Sequence, residues 1–148
     1  MSDETPAPRA ATQPPSIALS NPDSLGKPLG PYSHISRVKA AELVFIAGQV
    51  AVDPAGNVVG AGDFAAQCAQ AFANLGAALA SVGTGWRNVV QFTTYLVHSQ
   101  DIAGFMAYRG REFPRLFPGG GYPPNTLLII DRLVDEALLI EVQAIAAL

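Results

Sequence analysis

Charge is scarce in this chain. Asp, Glu, Lys and Arg make up 14% of its 148 residues, the net charge is −3, and the nine basic residues never form a run of three. Phosphate backbones demand a clustered positive footprint, so nucleic acid is not an expected partner. Cysteine is scarcer still, since Cys68 alone cannot close an internal disulfide. No segment reaches the roughly 18 consecutive apolar residues that span a bilayer. The N-terminal "MSDETPAPRAATQPPS" carries two early acids and no apolar run, unlike a secretory signal. A cytoplasmic protein with no membrane partner is the expectation. The two histidines, His34 and His98, lie in different segments without metal-ligand spacing, so no metal is expected.

Apolar residues, by contrast, form 49% of the chain, enough for the core of one domain. Four prolines and few large side chains in residues 1–16 predict a disordered tail, leaving 17–148 as the domain. Short β-branched runs at 34–39 and 43–50, with "AAE" between them, predict a hairpin. "DPAGN" turns the chain into a short returning strand at "VVG". From Asp63, apolar residues Phe64, Cys68, Ala71, Phe72, Leu75, Leu79 and Val82 recur at steps of three and four, predicting a helix capped by Asp63 and stopped by Gly83. Cys68 then sits in the buried stripe as an inert thiol.

"NVVQFTTYLVHS" reads as a strand, "DIAGFMAYRGREFPRLF" as a helix interrupted by Gly104, Gly110 and Pro114, and 125–131 and 137–146 as the last strands. The order β-β-β-α-β-α-β-β predicts an α+β sandwich, a mixed sheet with two helices on one face. Alternation sends Leu138, Ile140, Val142 and Ala144 toward the helices and Leu139, Glu141, Gln143 and Ile145 away. That second face is too apolar for water, which predicts a homo-oligomer.

Glu141 is the most informative ionisable residue. A carboxylate flanked by "LLI" and "V" must be paired, solvated in a cleft or raised in pKa, serving either function or a structural bond across an interface. "GAGDFA" at 60–65 formally matches a dinucleotide fingerprint, but no long parallel strand precedes it and no acid lies near position 82 for a ribose. It reads as a loop and a helix cap. Arg109, Arg111 and Arg115 read as the solvated side of the second helix, and "PGGGYPP" as a connection.

"GPYSH", "LVFIAGQVAVDPAGNVVG", "NVVQFTTYLV", "PPNT" and the terminal "IEVQAIA" resemble the RidA/YjgF family of reactive-intermediate deaminases, also called endoribonuclease L-PSP-like, over about residues 30–146. The resemblance implies a chorismate-mutase-like fold, a homotrimer with ligand clefts between subunits, and cofactor-free hydrolysis of enamines and imines to 2-oxo acids and ammonia. By position, the cleft would hold Tyr32, Ala47, Gly48, Asn125 and Thr126 as binding residues and Glu141 as the catalytic group that activates water. The family's arginine in "P-A-R-S" clamps the substrate carboxylate; here Asn125 stands in its place, in "PPNT". Ala47 replaces a serine, and the family's helix asparagine has no counterpart in "GFMAYR". Losing a guanidinium fork costs about 1.5–3 kcal/mol, which implies an altered or reduced substrate range. Arg132 is the nearest other cation in sequence, although alternation puts it opposite Asn125. The alternative is a non-catalytic trimer that binds a metabolite; a ribonuclease conflicts with the acidic charge.

Overall fold

The computed structural model describes residues 13–148. Six strands and two helices follow in the order β1 (Ser16–Ser20), β2 (Ile35–Lys39), β3 (Leu43–Val50), α1 (Phe64–Ser81), β4 (Val89–Leu96), α2 (Ile102–Leu116), β5 (Asn125–Ile129) and β6 (Ile140–Ala147). The main sheet has the order β3-β6-β4-β5, with β4 and β5 parallel and the other pairs antiparallel; β1 and β2 form a separate antiparallel pair.

The letter order matches expectation, but the members differ. "VVG" is no strand and makes only an isolated bridge between Val52 and Val58. The predicted hairpin does not form, because β2 pairs with β1 and β3 with β6. "AAE" instead passes between sheets, with the amides of Ala41 and Glu42 donating to the carbonyl of Leu148. Of the expected tail, residues 1–12 lie outside the described residues, and Ser16 already belongs to β1. Helix α2 runs unbroken, with Pro114 inside its last turn. Gly104 serves packing, since a Cβ there would lie 3.0 Å from Phe64.

Both helices cover one face of the main sheet. Phe72 and Leu75 of α1, Phe105 and Phe113 of α2, Phe92 of β4 and Ile140 and Val142 of β6 meet in one buried cluster. Its aromatic rings pack closely, Phe72 tilted against Tyr108 at 4.9 Å and Phe113 edge-on to Phe117 at 5.2 Å between centroids, adding about 0.5–1.5 kcal/mol per pair beyond their buried area. Asp63 caps α1, its carboxylate accepting from the amide of Ala66 at 3.1 Å, so the "GAGDFA" stretch is a helix cap. Polar side chains then fix the helix to the sheet's ends. Asn74 donates to the carbonyls of Val50 and Val52, and the fully buried Gln67 bridges Ala137 and Leu139. Cys68 is buried and free, and burial pushes its thiol up to about 12, so it stays protonated and inert at neutral pH.

Candidate functional site

The helix-free face is only half protected. Leu43 and Phe45 of β3 are 49% and 73% exposed, and Phe45 sits in register with Ile145. Beside them Thr93, Tyr95, Glu141 and Gln143 form a polar strip, with the Tyr95 hydroxyl donating to Gln143 at 3.0 Å. Glu141 lies across β3. A Cβ built on Gly48 would stand 1.9 Å from its Oε1 and 2.6 Å from its Cδ, so only glycine leaves room for this carboxylate. The exposed Ala47 adjoins Gly48, and Thr126 faces the same side through its register with Thr93.

Substituting Gly48 therefore tests Glu141 without touching it. Gly48→Ala is expected to leave the fold intact, at about 1–3 kcal/mol of overpacking, while driving the Glu141 carboxyl off the strand. Thermal unfolding should show a modest loss, and any Glu141-dependent activity should fall about as far as in Glu141→Ala. Unaltered activity in a folded Gly48→Ala protein would detach function from this geometry.

The other expected residues stand behind the sheet. Asn125 opens β5 beside Phe92 and accepts a hydrogen bond from the buried Thr94 hydroxyl at 2.7 Å, which puts it on the helix side. With Tyr32, Met106 and Leu127 it lines a cavity of about 400 Å³ between the 29–32 segment, α2 and β5. The Tyr32 hydroxyl accepts from the amide of Leu29 at 3.2 Å. Strand alternation, with a register shift in β3 at Ala47 and Gly48, thus splits the six predicted site residues. Tyr32 and Asn125 share the cavity, whereas Ala47, Gly48, Thr126 and Glu141 occupy the opposite face.

The cavity also holds a residue that sequence reasoning misplaced. Arg109, expected on the solvated side of α2, is 2% exposed. One Nη donates to the Pro31 carbonyl, and its guanidinium carbon lies 5.1 Å from the Phe105 centroid and 4.9 Å from that of Phe113. The signal was present, because Phe105, Arg109 and Phe113 are spaced i, i+4, i+8 and must share one helix face. Burial pulls the guanidinium down to about 10, which leaves it charged at neutral pH. Arg111 and Arg115 do lie on the surface, both bonded to Glu112. Arg132 is committed elsewhere, to Glu136 and to the carbonyls of Leu133 and Val134. Among the described residues no group of three or more His, Cys, Asp or Glu is arranged to hold a metal ion, and no helix is long and apolar enough to cross a membrane.

The sequence profile of the endoribonuclease L-PSP family matches residues 23–148. The chain belongs to the RidA/YjgF family. A RutC family protein of Synechocystis is 34% identical, the match covering 82% of this chain and 88% of the relative. The protein named 2-iminobutanoate/2-iminopropanoate deaminase from Bos taurus is 31% identical over 76% of this chain and 82% of its own length. Among solved structures, the Rid family protein YyfB of Yersinia pestis, itself of unknown function, superimposes with a TM-score of 0.79 at 30% identity, covering 89% of this chain and 98% of that one. The α+β architecture is thus that of Rid proteins, and some relatives carry an imine-deaminase name.

Proposed function

We propose that the chain is an imine and enamine hydrolase whose clefts form between subunits of a homotrimer. The observation that carries this reading is the Glu141 carboxylate laid over Gly48 on a sheet face too apolar to stand alone, in a chain 31% identical to a named imine deaminase. Assembly would cover Phe45 and Leu43 and bring one subunit's Glu141 face against the Tyr32–Asn125 cavity of its neighbour. A head-to-tail contact of this kind closes into a three-membered ring when each step turns by a third of a revolution.

The chemistry needs no cofactor. Water adds to the imine carbon, Glu141 accepts its proton and returns a proton to nitrogen, and the carbinolamine collapses to a carbonyl compound and ammonia. Ammonia release from freshly generated 2-iminobutanoate measures this directly. Glu141→Ala is expected to lose about a hundredfold or more; equal rates in both proteins would end the hydrolase reading. Asn125, standing where the family motif has arginine, favours the second reading, a trimer that binds a metabolite without turning it over. Thermal stabilisation by 2-oxo acids with no product formed would support that one.

A further inference from the structure

We infer that Arg109 holds the anionic end of the ligand in the Tyr32–Asn125 cavity, and that this ligand is a monocarboxylate with an extended apolar body. The inference rests on the cleft described above and moves its cationic clamp from strand β5 to helix α2. Three observations carry it. First, Arg109 is buried without an acid: no carboxylate of the described residues pairs with it, and neither of the groups that act on its charge, Tyr32 and Cys68, is one. A buried cation left unpaired is costly, and a purely structural arginine is ordinarily matched by Asp or Glu.

Second, its donors are not exhausted. The guanidinium has five N–H groups; one Nη reaches Pro31, and the buried Nε has no acceptor. Phe105 and Phe113 hold the fork in place without using its hydrogen-bonding edge. Third, the neighbouring groups suit a carboxylate with a hydrocarbon tail. The Asn125 carbonyl oxygen is taken by Thr94, which leaves the amide nitrogen as the donor, and Tyr32 lines the same cavity. The remaining wall is Leu29, Ile102, Met106 and Leu127. Gly30 admits Met106, whose Cε would lie 2.5 Å from a Cβ at that position. This apolar wall suits a hydrocarbon tail that a three-carbon acid lacks.

Calorimetric titration of the full chain with 2-oxohexanoate, its methyl ester and pyruvate tests the inference without requiring turnover, so its outcome is separate from the Glu141 rate. The wild type is expected to bind 2-oxohexanoate at least about tenfold more tightly than the ester and than pyruvate. Arg109→Met should bring the acid-to-ester ratio close to one, and Arg109→Lys should keep part of it. If Arg109→Met does not fold, Asn125→Asp serves instead: its carboxylate should occupy Arg109 and weaken the acid about tenfold while sparing the ester. Equal wild-type affinity for acid and ester, or a full ratio surviving in either Arg109→Met or Asn125→Asp, would overturn the clamp. Tighter binding of pyruvate than of 2-oxohexanoate would overturn the apolar body. A role confined to fastening Pro31 would lower thermal stability in Arg109→Met and leave the ratio unchanged.

Discussion

Phe45→Glu is expected to reduce the proposed trimer of 15.4 kDa protomers to single chains and to abolish the proposed ammonia release. Phe45 is 73% exposed on the edge strand β3, beside Leu43 and Ile145, and no other described residue covers it. Burying such a ring contributes about 1.5–3 kcal/mol, repeated at every junction of a ring. A carboxylate in its place would be desolvated without a partner, and that cost also recurs at each junction. Within the chain, the position faces away from the helices, so the fold should survive with near-native thermal stability. Sedimentation equilibrium reads the mass and ammonia release the activity. A Phe45→Glu protein that remains assembled, or a wild type already at 15.4 kDa, would contradict the proposed interface.

The second large effect concerns the division of the site itself. Glu141 and Tyr95 face one side of the main sheet, while Asn125 and Thr94 face the other, and alternation along neighbouring strands forbids both pairs from meeting in one chain. Two inactive variants damaged on opposite faces should therefore repair each other when their subunits mix. One that keeps Tyr32 and one that keeps Glu141 would together present an intact junction.

Much of this was legible because the main sheet writes its burial as alternation. Phe92, Thr94 and Leu96 of β4 and Ile140, Val142 and Ala144 of β6 turn inward as period two requires, whereas a register shift between Val89 and Gln91 puts Val89 rather than Val90 in the helix-covered core. The apolar stripe of α1 predicts Cys68, Ala71, Phe72, Leu75 and Leu79 but not the buried Gln67, and Val82 is 43% exposed. Strand β1 was not legible. Its five residues are short, end in serine and find their partner some twenty residues later in β2, so no local pattern marks the pairing. Mistaking β2 for the partner of β3 followed from that omission.

In the site, Glu141 stood out because a carboxylate is rare in such an apolar strand. Its companion Gly48 was placed by family resemblance, and the reason for glycine emerges only when β3 and β6 lie side by side. Arg109 was hidden by its own chemistry. An arginine on a helix is ordinarily solvated, and only the pairing of Phe105 and Phe113 around it, with Pro31 returning from 78 residues away, reveals a buried one. Asn125 alone made the cleft look stripped of its cation, whereas the fold places one on the facing helix.

Subunit exchange between Glu141→Ala and Tyr32→Ala tests the shared cleft most directly. Each protein alone should release ammonia at a small residual rate, with hybrid formation confirmed by native mass spectrometry. After random exchange, an intact Tyr32 half should adjoin an intact Glu141 half at about one junction in four, restoring roughly a quarter of wild-type activity. Hybrids that form and yet show no more than the average of the two residual rates would contradict a cleft built from two chains.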